Sequence, residues 1–259
     1  MKRLIYQVYV GKRSHLYDWC TATVKEYAER IGADYICQRQ PLLRIKPDIF
    51  ATNRSKESYE KHGGYLPIYE KENAFGYFDK YDQIAIIDSD IFIRDTAPDI
   101  FFELDDDQDF GGVVEASMPM FGWYRDKIIN YSRMQYGSLK IDWDFDTQSG
   151  FPFMNMGMML MNKSFAKYLN GQTPKEFIER KEFKMFVDGM GPWKWSTDQT
   201  LLNYWIRNEQ MNIKKLDWKW NALYSACTRI KEAHFVHFFL KDKLPNKGED
   251  IKPLQEAIL

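Results

Sequence analysis

The stretch YDQIAIIDSDIFIR, Tyr81 to Arg94, decides the reading of this chain. Ile84 to Ile87 is a continuous apolar, largely β-branched run, the pattern of a strand covered on both faces in a parallel α/β sheet. It ends abruptly in Asp88-Ser89-Asp90. Residues two apart on an extended chain point the same way, so the two carboxylates can share one cation. A cation held by so few carboxylates at a strand end is typically Mg²⁺ or Mn²⁺, whose other positions go to water and substrate phosphates. Asp105/Asp107, Asp107/Asp109, Asp142/Asp144 and Asp144/Asp146 repeat the spacing, but none follows an apolar strand. Ligands of open α/β sheets gather at the carboxyl ends of strands, which sets Asp88/Asp90 apart. Capping of the turn after the strand is the structural alternative for the same pair.

Outward from this point the chain alternates. Leu4 to Val10 reads as a strand broken by Gly11, then a helix from an N-cap at Ser14 to Arg30, closed by Gly32, and a second strand from Ala33 to Cys37. This is a βαβ unit, and its crossover implies a parallel sheet. Helical spacing over Tyr65 to Tyr81 leads into the central strand. A short helix started by Pro98, an acidic loop from Glu103 to Asp109 and a strand from Phe110 to Ala116 follow. Residues 118–150 read as an insertion that covers or feeds the site. Phe153 to Met161 is an apolar strand whose methionines read as core and whose amide, Asn155, requires a hydrogen-bond partner. A helix over Pro174 to Val187 precedes a second, N-capped by Ser196, with Asp198 and Gln199 in its first turn. Ala233 to Leu240 reads as a terminal strand carrying His237, followed by a basic tail.

Composition narrows the classes. The chain has 259 residues, enough for one large α/β domain, with 44% hydrophobic and 28% charged residues and a net charge of −1. That balance, without a Lys/Arg stripe, gives no electrostatic case for nucleic acid. Cys20, Cys37 and Cys227 form no metal-binding pair motif and point to buried thiols in a reducing compartment. The first residues are too short and polar a run for a signal peptide, and no run approaches a bilayer span, so a soluble, cytoplasmic protein without a transmembrane segment is expected.

Taken together, the pieces resemble the metal-dependent nucleotide-sugar glycosyltransferases of the GT-A fold, closest to the glycogenin-like and galactosyltransferase-like family 8 and its relatives. The resemblance runs from Leu4 to about Pro245. It rests on Asp88-Ser89-Asp90, Met154-Asn155-Met156-Gly157, Thr197-Asp198-Gln199 before Leu201-Leu202-Asn203, Trp220-Asn221, and His237-Phe238 with Lys243 downstream. It implies an α/β, Rossmann-like single domain over residues 1–245, with a mostly parallel central sheet flanked by helices and a C-terminal tail over 246–259. It also implies a sugar moved from a UDP-sugar to a carbohydrate acceptor hydroxyl. Asp88, Asp90 and His237 would hold the cation, the imidazole favouring Mn²⁺ over Mg²⁺. Tyr9, Val10 and Gly11 would line the base and ribose pocket, with Lys71 and Ser89 beside them, and Lys243 would meet the diphosphate. Asn155, Gly157, Asp198 and Gln199 would surround the donor sugar, with Asp198, Gln199 and Asn155 as the catalytic candidates. Departures from the family pattern are Leu240 for a glycine, Leu244 for a proline, Met156 for a serine, and a one-residue offset between Lys71 and Asp88. Two rival readings stand beside it: a non-catalytic carbohydrate- or protein-binding domain, and a sugar-1-phosphate nucleotidyltransferase. The latter needs a Gly-rich phosphate loop, which Val10-Gly11-Lys12-Arg13 is not.

Overall fold

In a computed structural model, which describes residues 1–258, two sheets share one body. The larger contains β1 (Arg3–Val8), β2 (Asp34–Gln38), β3 (Gln83–Ile87), β5 (Phe110–Val114), β6 (Met154–Asn162) and β7 (Ile213–Lys215), in the order β2-β1-β3-β6-β5-β7. β6 runs against its neighbours β3 and β5, while the β1–β2, β1–β3 and β5–β7 pairs are parallel. The smaller sheet orders β4 (Ile91–Ile93), β9 (Phe235–His237) and β8 (Ala222–Leu223) as β4-β9-β8. The architecture is the expected α/β one with a mostly parallel central sheet.

Its helices are α1 (His15–Arg30), α2 (Glu57–Glu60), α3 (Gly122–Tyr136), α4 (Pro174–Ile178), α5 (Lys184–Val187), α6 (Asp198–Asn208) and α7 (Lys252–Ile258). Strand alternation sorts the central residues into two cores. Ile84, Ile86, Met159 and Met161 pack with Phe165, Phe177 and Trp205, whereas Ala85, Ile87, Met158 and Leu160 pack with Val24 and Tyr27 of α1 and with Trp220. The methionines of β6 are core, all buried. A third cluster joins α1, α3 and β9, and Leu254 and Ile258 of α7 close it, so the segment beyond residue 245 packs back onto Leu16 and its neighbours.

Several sequence expectations require correction. Tyr65 to Tyr81 is not one α-helix: Pro67–Tyr69 and Lys71–Tyr77 are 3₁₀ segments, and Asn73 and Gly76 are poor helix formers within them. Pro174 to Val187 breaks after Ile178, where Arg180 turns inward to donate to the carbonyls of Tyr168 and Leu169. α6 is capped by Thr197, whose side chain accepts from the Gln199 amide, while the Ser196 hydroxyl donates instead to the Phe186 carbonyl. Ser14 precedes α1 but makes no side-chain cap; its hydroxyl donates to Glu249. The terminal strand is short and belongs to the small sheet, antiparallel to β4.

Asp109, at the start of β5, ties three segments together. It accepts from Lys167 Nζ (2.9 Å), the Tyr168 hydroxyl (2.7 Å) and the Asn212 amide (3.1 Å). Burial alone would raise its pKa; the donors around it outweigh that and hold it below the ordinary carboxylate range. Its contribution to stability is therefore present above the ordinary carboxylate pKa and is lost as pH falls through the lowered folded value. Asp109→Asn should cost about 2 kcal/mol at pH 7, with the gap to the unaltered protein closing in acid as Asp109 takes up its proton, read from urea midpoints at pH 7 and in acid. A gap that persists unchanged in acid would refute the ionic account.

Candidate active site

The Asp88-Ser89-Asp90 triplet is where the chain leaves one sheet for the other: β3 ends at Ile87 and β4 begins at Ile91. Each side of the crossing is pinned. The Asp88 amide donates to the Gly157 carbonyl of β6 at 2.7 Å, and the Phe238 amide donates to the Asp90 carbonyl at 2.9 Å. Ile91 pairs with His237 in the β4–β9 register. Backbone pairing therefore delivers an imidazole distant in sequence to the acid pair. Ligand atoms of Asp88, Asp90 and His237 all lie within 4.8 Å of one another, and His237 Nε2 is 3.3 Å from Asp90 Oδ1.

Lys71 joins this seat to the opposite wall. It is 9% exposed, and its Nζ lies 3.0 Å from Asp88 Oδ1, 2.9 Å from Asp198 Oδ2 and 2.7 Å from the Met156 carbonyl. Burial would lower its pKa, but Asp198, Asp88 and Glu72 outweigh that and raise it. Burial pushes the Asp88 carboxyl up to about 6 and raises that of Asp198, each against the pull of Lys71. Asp90 is held low and His237 high because, for both, their mutual attraction outweighs burial.

Behind the imidazole runs a chain of buried polar groups whose directions are fixed by its far end. Glu115 accepts from the Tyr124 hydroxyl (2.5 Å) and from Asn155 Nδ2 (2.7 Å). With its amide nitrogen committed, Asn155 turns its oxygen to Asn221 Nδ2 and the Gly157 amide, each at 2.9 Å. Asn221 in turn presents its oxygen to His237 Nδ1 at 3.0 Å. Nδ1 must then carry a hydrogen, which leaves Nε2 as the ring nitrogen that faces Asp90. Gly157 is required by this packing: a Cβ there would meet His237 Cε1 at 2.4 Å and Nδ1 at 2.7 Å.

These groups border a cleft of about 360 Å³ lined by Val10, Lys71, Asp88, Ser89, Asp90, Asn155, Gly157, Asp198, Gln199 and His237, among others. Gln199 Oε1 accepts from the Met156 amide (3.3 Å). Three candidates do not line it. Tyr9 is buried, its hydroxyl engaged with the backbone of Ser14. Gly11 is exposed in a left-handed turn (φ 112°). Lys243 is exposed, its Nζ 3.9 Å from the Trp123 ring centroid.

Sequence reasoning gave no role to Tyr17, Glu115, Asn221 or Lys241. Tyr17 lines the cleft, and Lys241 Nζ stands 3.7 Å from the centroid of its ring. Lys241 is close enough to Asp90 that the carboxylate counters the lowering of its pKa by burial. Leu240, where the resembled family has glycine, holds the left-handed conformation a glycine would take (φ 64°, ψ 61°).

No family model matches the sequence, and no curated protein matches it. Solved structures do. The galactosyltransferase LgtC in complex with donor and acceptor sugar analogs is 12% identical over 98% of this chain and 95% of its own, with a TM-score of 0.54. A glycosyltransferase involved in glycosylation of the major capsid of PBCV-1 is 13% identical over 98% and 100%, with a TM-score of 0.53. Mouse xyloside xylosyltransferase 1, in its apo form, is 10% identical over 95% and 100%, with a TM-score of 0.50. At such identities the likeness establishes the fold, and the fold is GT-A.

Gly157→Ala should displace the His237 ring while leaving the β-sheet intact, and should weaken Mn²⁺ binding about tenfold or more in an EPR titration. Unchanged affinity would remove His237 from the ligand set.

Proposed function

We propose that this chain is a metal-dependent glycosyltransferase that moves a sugar from a nucleoside-diphosphate sugar, a UDP-sugar, to a hydroxyl of a saccharide acceptor. The observation that carries the reading is the convergence of Asp88, Asp90 and His237 on the cleft that Asn155, Asp198 and Gln199 face from the other side. The ligand set suits a divalent ion. Neighbouring ligands around an ion at ~2.1 Å stand about 3 Å apart and opposite ones about 4.2 Å, within the spread seen here. Two carboxylates and an imidazole favour Mn²⁺, with Mg²⁺ the harder alternative.

When bound, the cation neutralises charge building on the departing nucleoside diphosphate. The protein's own groups supply the rest. Lys241, held over Tyr17 beside Asp90, brings a second positive charge to that end of the cleft, the role the resemblance gave to Lys243. Asp198, fixed by Lys71, is the carboxylate we assign to the reacting carbon, with Gln199 beside it against the donor sugar. Ser89 and Val10 border the nucleotide end. Cys20, Cys37 and Cys227 are all free thiols, which supports a reducing, cytoplasmic setting; no helix among the described residues is long and apolar enough to cross a membrane.

UDP at a hundredfold excess over its Kd should stabilise the protein by about 2.7 kcal/mol in thermal melts, only when Mn²⁺ or Mg²⁺ is present. Asp90→Ala should abolish the gain, and equal stabilisation by UDP in EDTA would overturn the metal reading. A hydrolysis screen of UDP- and GDP-sugars with Mn²⁺ then identifies the donor.

Asp198→Asn should keep the UDP–Mn²⁺ stabilisation yet slow donor hydrolysis about a hundredfold. Undiminished turnover would dismiss Asp198 from the chemistry.

A further inference from the structure

Three lysines along one lip of the cleft have no carboxylate within ion-pairing distance among the described residues, and each lies over an aromatic ring instead. Lys241 covers Tyr17, Lys243 covers Trp123 at 3.9 Å, and Lys127 Nζ is 6.0 Å from the centroids of both Tyr124 and Phe239. Unpaired lysines over rings occur elsewhere too, as Lys80 over Tyr77 and Lys194 over Trp195 show, but here three of them gather at the mouth of one cleft. The acids nearby do not cancel the lip: Asp242 is paired with Lys247 at 3.5 Å, and Asp126, next to Lys127, is fully solvated on α3.

The lip also presents aromatic rings to solvent at the mouth of the cleft. Trp123 is 41% exposed and Phe239 37%. Phe239 belongs to the cleft lining, with its ring centroid 5.9 Å from that of His237. The patch therefore begins at the cation seat and runs outward along α3. Lys241 is accounted for by the donor diphosphate. Lys127, Trp123 and Lys243 lie outside the cleft lining, beyond Phe239, where the donor's phosphates do not reach if they sit at the ion. Flat faces of exposed aromatic rings suit the apolar faces of pyranoses, and unpaired ammoniums beside them suit an anion.

We infer that Trp123, Lys127, Phe239 and Lys243 form the acceptor-binding lip, and that the acceptor is a saccharide bearing a carboxylate or phosphate. This rests on the glycosyltransferase reading above. The protein, with and without UDP and Mn²⁺, is titrated with methyl glucoside, methyl glucuronide, methyl glucoside 6-phosphate and inorganic phosphate, with binding read by calorimetry. Both anionic sugars should bind at least ten times more tightly than the neutral one. Lys127→Ala with Lys243→Ala should erase that preference, the corresponding pair of arginine substitutions should restore it, and Trp123→Ala should weaken all three sugars. Equal binding of charged and neutral sugars, or a preference that survives the double substitution, overturns the inference. Inorganic phosphate binding as tightly as the sugar phosphate and indifferent to Trp123→Ala also overturns it, leaving a simple anion site. Loss of the UDP–Mn²⁺ stabilisation in the double variant would assign these lysines to the donor and overturn it too. Failure of the glycosyltransferase reading has a separate signature, the absence of any UDP–Mn²⁺ response in the unaltered protein, and the sugar titrations without nucleotide are read regardless.

Discussion

Lys71 sits where β3, β6 and the first turn of α6 meet, contacting Asp88, Asp198 and the Met156 carbonyl within 3.0 Å. Two carboxylates facing each other across a cleft, Asp198 buried and Asp88 half-buried, would repel; one ammonium between them lets them stand close. Glu72, adjacent in sequence and fully buried, has no hydrogen-bond partner for either oxygen among the described residues, and burial pushes its pKa well above the ordinary value. Burial thus favours its protonated form. Asp88, Asp90 and Asp198 bring three carboxyl groups to the cleft, faced by the ammonium of Lys71 and the imidazole of His237. A cluster so rich in carboxyl groups is one that could hold a cation, as the spacing of Asp88, Asp90 and His237 also allows.

The seat itself follows from a change of sheet. A strand that simply ended would leave its acids on a mobile loop. Here the acid triplet is clamped by β6 on one side and β9 on the other, which fixes the carboxylates before any ion arrives. Leu240 shows what the next turn requires. A left-handed leucine costs on the order of 1–2 kcal/mol, offset here by its packing against the third core cluster. The bend it makes sets Lys241, rather than Lys243, beside Asp90.

Much of this was legible in the residues. The run Ile84 to Ile87, the βαβ start and the acids at the strand end depend on local pattern, and local pattern carried them. His237 could be proposed only through resemblance, because its approach depends on a β4–β9 pairing between segments far apart in the chain. Lys71 was placed on an α-helix by spacing, yet a tighter 3₁₀ turn carries it inward to the two carboxylates. The misplacement of Tyr9 was avoidable. Val8 and Val10 line the cleft, and side chains alternate along extended backbone, so Tyr9 between them turns away. Glu115 gave no sequence signal, being an acid after a strand whose partners come from α3 and β6.

The chain of hydrogen bonds from His237 to Tyr124 has a consequence for the acceptor side. Tyr124 lies on α3 between Trp123 and the turn that carries Lys127, and its hydroxyl anchors Glu115, which sets both asparagines and, through them, the imidazole. The lip and the ion seat are thus tied to one buried polar frame rather than to independent loops. In the proposed transfer, nucleophile and reacting carbon must meet within a few tenths of an ångström, and a rigid link between the groups assigned to each substrate would remove much of the motion that separates them. Loosening the frame at Glu115 would therefore reach the proposed acceptor lip and the proposed cation seat together, although it touches neither.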